Sequence, residues 1–211
     1  MAKEKYIAIN ENVDGYSFAN LGLFTGFATG VYNAVYSLVI LGIFTGIFGD
    51  EKLASSVVGV YVAMYSVFCM MVGLFSKELL RWFSKARLLA CAFLLTAVCY
   101  SMMSFSVKPA TFFALDYVSG IGSTIVLILI PLFMADFSKN IGMAKLNARY
   151  HLWVNIGCLV APLFALNIAE WFGNYRIPFL ASAMIYAGGL LFFCRFGIVQ
   201  QEKEIKEAER I

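Results

Sequence analysis

The chain has 211 residues, 61% of them hydrophobic and only 14% charged, with a net charge of +3. Soluble domains average roughly 45–50% apolar and 25% charged residues, so a water-soluble globule is excluded and a nucleic-acid partner is not indicated. The composition is that of a polytopic membrane protein.

The first fifteen residues, MAKEKYIAINENVDG, are polar and lack the apolar core of a secretory signal. Insertion is therefore expected to begin with the first membrane helix. Six apolar stretches follow, over residues 21–48, 53–75, 88–107, 110–135, 150–169 and 177–198. Each is near or above the roughly 20 residues that a helix needs to cross a bilayer. The expected organisation is a cytoplasmic N-terminus over 1–16, a six-helix membrane domain over 17–199 and a charged cytoplasmic tail over 200–211. The tail QQEKEIKEAERI pairs Glu202 with Lys206 and Lys203 with Glu207 at i,i+4, which predicts a polar extension of the sixth helix.

The first span carries Gly22, Gly26 and Gly30 at four-residue spacing, and the same face continues through Asn33 and Ser37. Small residues in this pattern let a second helix approach closely. The adjacent face holds Thr25, Thr29, Tyr32 and Tyr36. Two readings stay open here: close packing alone, or packing combined with a polar cavity lined by Asn33 and Tyr36. The second span has a similar stripe of Ser56, Gly59, Ala63, Ser66 and Gly73.

The fourth span holds Asp116, roughly two turns inside its helix, with Ser119, Gly120, Ser123 and Thr124 on one narrow polar face. A charged carboxylate in a membrane helix costs on the order of 3 kcal/mol on insertion scales. Asp116 is therefore expected to face other helices or water. There it could bind a cation, carry a proton, pair with a basic group, or serve only as a structural hydrogen-bonding acid. Pro131 lies further along the same span and predicts a kink. The fifth span begins with Arg149 and His151 and carries Asn155, Cys158 and Pro162 on one face. A histidine can carry a proton near neutral pH, but His151 sits at the membrane boundary, where it needs no special role.

The five cysteines lie inside apolar stretches without metal-ligand spacing and read as small apolar residues. No metal or cofactor is expected, and no catalytic constellation that would make the chain an enzyme is present. The glycines at 120 and 122 fall in the middle of a span, so they are not a nucleotide-binding loop.

Lysine and arginine divide unevenly between alternate loops. Thirteen fall at the N-terminus, the second-to-third loop, the fourth-to-fifth loop and the C-terminal end. Three, Lys52, Lys108 and Arg176, fall in the other set. This bias, with an even number of spans, predicts that both termini are cytoplasmic.

Several motifs then agree with one family. VGLFSKELLRWFSKARLL, between the second and third spans, is similar to a signature of glycine, acid and several bases, with Gly73, Arg81, Lys85 and Arg87 matching in kind. ALDYVSGIGSTIVLILIPLFMADF, NIGCLVAPLFA and GNYRIPF resemble the fourth span, the glycine-proline fifth span and the entry to the sixth. Together they resemble one half of a major facilitator superfamily transporter. Lys77 stands where that family usually has Asp, Ser84 replaces a common Gly, and Asp116 falls where many members have Arg.

The resemblance implies an all-α membrane bundle of six helices built as a 3+3 inverted repeat. A trace of that repeat is visible: ATGVYNAVYSLVILGIF from Ala28 lies over VSGIGSTIVLILIPLFM from Val118, placing Gly30 over Gly120 and Asn33 over Ser123. It further implies a small-molecule or ion substrate, moved by alternating access across a lipid bilayer. Two six-helix units would be needed, as a homodimer or a pairing with another half. The expected roles are Asp116 for proton or cation coupling, and Asn33, Tyr36, Ser119, Ser123 and Asn155 for solute contact. Lys77, Arg81, Lys85, Arg87 and Arg149 would form the cytoplasmic gate. The alternative is a non-transporting membrane subunit that regulates or stabilises a larger transporter or channel.

Overall fold

The computed structural model describes residues 15–138 and 142–196. The N-terminal residues 1–14, Lys139 and the tail lie outside the described residues. Among the described residues seven helices follow in order: α1 (Gly15–Ala19), α2 (Leu21–Phe48), α3 (Glu51–Trp82), α4 (Lys85–Phe105), α5 (Pro109–Asp136), α6 (Met143–Phe172) and α7 (Ile177–Cys194). No strand occurs among the described residues. α1 and α2 together make the first of six helices long and apolar enough to span a bilayer. The protein is thus a multi-pass membrane protein.

Two helices outrun their apolar stretches. α3 continues past Phe75 to Trp82, and α6 begins at Met143 rather than near Tyr150. Hydropathy marks the thickness of hydrocarbon, whereas the helix continues through good helix formers such as Lys77, Glu78 and Leu79. α3 stops only at Phe83, where the backbone turns extended, and Ser84 then caps α4 by accepting a hydrogen bond from the Arg87 N–H at 3.4 Å. At the opposite end, the carboxylate of Asp50 caps α3 by accepting from the Lys52 N–H at 2.8 Å. Gly49 and Gly173 close α2 and α6 in the left-handed conformation, at φ 70° and 60°.

The main helix contacts obey a swap of α2–α3–α4 with α5–α6–α7. α2 packs on α6 as α5 packs on α3; α4 packs on α5 as α7 packs on α2; and α4 meets α7 across the middle. Three spans reverse the direction of the chain, so the second triplet starts at the end of the bundle opposite the first. This is a 3+3 inverted repeat. The register read from sequence fits the contacts: Gly30 on α2 faces Cys158 and Ala161 on α6, and Gly120 on α5 faces Tyr65 and Cys69 on α3.

Phenylalanine, abundant in the sequence, is not confined to the lipid-facing surface. Phe18 on α1 stacks on Phe133 at 5.0 Å between ring centroids and also meets Phe137, Phe193 and Phe196. That aromatic cluster holds α1 against the neighbouring ends of α5 and α7. α3 is the least enclosed span, with Ala54 its one buried residue. Val60, Met64, Val67 and Leu74 on α3 are exposed, an apolar surface suited to hydrocarbon or to another membrane protein.

Candidate functional site

Asp116 lies on α5 and has no solvent exposure. Its side chain points into the junction of α2, α3 and α5. Tyr32 donates to Oδ1 at 2.6 Å, Tyr36 donates to Oδ2 at 2.6 Å, and Tyr61 donates to Oδ2 at 2.7 Å. Tyr32 and Tyr36 come from α2 and Tyr61 from α3, so one carboxyl joins three helices. The local reason is helical spacing: residues four apart lie one above the other on the same face, so Tyr32 and Tyr36 present two hydroxyls side by side. Their rings stack at 4.6 Å, and Tyr32 also stacks on Tyr100 of α4 at 4.8 Å. Tyr61 is braced by Phe113 at 4.8 Å and by the edge of Tyr117 at 5.8 Å.

The carboxyl has no ion pair among the described residues. Three phenol donors replace the water that such a group would otherwise require, because an unpaired buried carboxylate would be far more costly. Sequence reasoning singled out Asp116 and Tyr36 and placed Tyr32 on the adjacent face, but it missed Tyr61. A signal was present. α3 carries Tyr61 and Tyr65 at the same four-residue spacing as Tyr32 and Tyr36 on α2, so two tyrosine pairs on consecutive spans flank one acid.

The other residues expected at a solute site divide into two groups. Tyr36 and Ser119 join the buried cluster, with the Ser119 hydroxyl donating to the Asp116 carbonyl at 2.7 Å. The half-buried Ser123 donates to the Gly120 carbonyl at 3.3 Å. Asn33 on α2 and Asn155 on α6 are exposed. The basic residues are likewise dispersed. Arg81 pairs with Glu78 at 2.8 Å within α3, and Lys85 at the start of α4 pairs with Asp136 at the end of α5 at 2.8 Å. Lys77, Arg87 and His151 are exposed. Arg149 donates from Nε to Asn20 Oδ1 at 3.1 Å and lies over the Tyr16 ring at 4.8 Å, tying α6 to the α1–α2 junction.

The glycine stripe of α2 lies against α6. A Cβ added at Gly22 would stand 2.8 Å from the Tyr150 carbonyl oxygen, and one at Gly30 would stand 2.6 Å from the Ala161 Cβ. At Gly26 it would strike the Val154 backbone, and at Gly157 of α6 it would strike the amide of Phe27. The two backbones touch without side chains between them.

Six helices long and apolar enough to span a membrane, in two inverted triplets joined by a buried polar cluster, define the class of a polytopic helical membrane bundle. The sequence model of the Major Facilitator Superfamily matches residues 18–210, and the chain belongs to that family. Among solved structures the chain is similar to two crystal structures of the peptide transporter POT in complex with sulfate, one of them a mutant form. The identities are 19% and 18%, with a TM-score of 0.68 in each case. Each match covers 86% of this chain and 37% of that one, so the chain spans about two fifths of the length of these transporters. None of the curated proteins compared matches the chain.

Proposed function

We propose that the chain is one half of a secondary transporter for a small solute, that it works by alternating access against a second six-helix unit, and that Asp116 couples the movement to a proton or another cation. In the simplest assembly the second unit is another copy of the chain, parallel to the first and related to it by an axis along the membrane normal. The basic end of the bundle, holding Arg81, Lys85 and Arg149, would face the cytoplasm in keeping with the positive-inside rule. The exposed Asn33 and Asn155 offer amide groups to a solute, and the Lys85–Asp136 and Arg149–Asn20 contacts are the cytoplasmic-end links that an opening motion would break or keep.

The observation that carries the reading is the count of donors at Asp116. An ionised carboxyl is an acceptor only and takes all three tyrosine hydroxyls as donors. When the carboxyl takes up a proton it becomes a donor on one oxygen, and at least one tyrosine has to turn its hydroxyl round or leave. Oδ2 already holds two of the three donors, from Tyr36 and Tyr61. Tyr61 belongs to α3, the least enclosed span, so it is the partner best able to leave. Loading Asp116 would thereby loosen α3 from α2 and α5. A bound cation competing for the same oxygens would act in the same way.

The test is transport by reconstituted protein. Vesicles carrying the purified chain and an internal pH-sensitive dye are challenged with a panel of small solutes. Solute-dependent proton entry is expected in the wild type. Asp116→Asn should abolish accumulation against a gradient while solute exchange survives. A variant that still drives proton or cation movement at the wild-type rate would make Asp116 structural. Absence of any solute movement by the assembled protein would favour the role of a regulatory or stabilising subunit.

A further inference from the structure

At the end of the bundle opposite the basic one, the turn between α6 and α7 lies beside α2, and the two border an open surface groove of about 350 Å³. One wall is apolar and comes from Leu38, Gly42 and Ile43 of α2; the other is polar and comes from Asn174, Tyr175 and Arg176 of the turn. At 3.6 residues per turn, Leu38, Gly42 and Ile43 fall on the side of α2 away from Asn33 and Ser37, so this groove is separate from the polar face proposed for the solute. The turn is held in place. Gly173 takes the left-handed conformation, the Asn174 side chain accepts from the Arg176 N–H at 2.9 Å, and Nη1 of Arg176 donates to the Ser106 carbonyl. A guanidinium has five N–H donors in a planar fork, and among the described residues those not given to Ser106 meet no acceptor. A Cβ at Gly42 would meet nothing within 4 Å, so the apolar wall is open rather than packed.

We infer that this groove is a binding site for an anionic amphiphile, with a membrane phospholipid as the occupant. Arg176 and Asn174 would receive the phosphate, and Leu38, Gly42 and Ile43 would receive the first methylenes of the chain. The position supports the lipid. Arg176 stands at the N-cap of α7, just outside a span, which is the depth of the headgroups. A fixed guanidinium with free donors suits a phosphate oxygen better than a mobile lysine would. The mixture of polar and apolar walls fits a molecule with both characters, which neither a free ion nor a hydrocarbon chain has.

Native mass spectrometry of the purified full chain, released from nanodiscs of phosphatidylglycerol into mild detergent, tests the site. The wild type should retain one phosphatidylglycerol. Arg176→Gln should retain it about tenfold less, as expected for loss of one charge-assisted hydrogen bond. Because Arg176 also holds Ser106, a second variant is needed. Gly42→Leu fills the open wall, leaves the arginine in place, and should lower retention to the same degree. Thermal unfolding of wild-type protein with added short-chain phosphatidylglycerol, and separately with inorganic phosphate, distinguishes lipid from free anion. Lipid should raise the midpoint, and phosphate at the same concentration should not. Equal retention by wild type and Gly42→Leu, no retained lipid in the wild type, or equal protection by phosphate would each overturn the proposal.

Discussion

Gly26 and Asp116 are equivalent positions in the two inverted repeats, since the register that sets Gly30 over Gly120 sets one over the other. They solve the same packing problem in opposite ways. In the first triplet, Gly26 on α2 removes all side-chain bulk and meets the Val154 backbone of α6 directly. In the second, Asp116 on α5 inserts a carboxyl, and Tyr61 of α3 together with Tyr32 and Tyr36 of α2 fill the space around it. The first contact is dry and has one arrangement. The second is a hydrogen-bonded network in which three tyrosines from two helices converge on one carboxyl. The repeat fixes topology and leaves chemistry free: one crossing is backbone on backbone, and the proposed coupling assigns the responsive role to the other.

The largest expected effect breaks the rigid side. Gly26→Leu drives a side chain into the α6 backbone and should cost about 3 kcal/mol or more, the upper range for overpacking. It should appear as aggregated protein or a much lower unfolding temperature in detergent. The same substitution at Gly59 of α3, where a Cβ meets nothing within 4 Å, should change stability by no more than about 0.5 kcal/mol. Equal behaviour of the two variants would remove the distinction between the crossings.

Next in size is Tyr61→Phe, which deletes one of three donors to a buried carboxyl and should cost about 1–3 kcal/mol. Hydrogen exchange should locate the loss on α3 rather than α6; protection lost evenly over both would count against a local tether. The smallest effect is at the basic end. Lys85 and Asp136 form their ion pair with side chains 29% and 32% exposed, so solvent screens it, and Lys85→Ala should cost no more than about 1 kcal/mol. A loss well above that, measured by thermal unfolding, would make this pair part of the main support between α4 and α5.

The six spans were legible in the sequence because hydrocarbon thickness imposes a length on each of them. The ends of α3 and α6 were not, since Lys77 or Lys145 can continue a helix in water as well as Leu can in lipid. Asp116 stood out because a carboxylate is rare and costly in a span. Its partners were harder to find: Tyr61 lies 55 positions away, and nothing local on α3 shows which way that ring points. The glycine stripe indicated close approach, yet only the fold names α6 as the helix that approaches. The tail's charge pairs lie outside the described residues.

If the state of Asp116 sets how firmly α3 is held, the distance between α3 and α6 should depend on pH. Spin labels at Met70 on α3 and Leu159 on α6, both exposed, can be placed on a cysteine-free chain in nanodiscs, and the distance distribution between them measured in neutral and acidic buffer. Acidification should shift the distribution in the wild-type background, and Asp116→Asn should give one distribution that no longer responds. A wild-type distance unchanged by acid, or a variant that still responds as the wild type does, would contradict the proposed coupling.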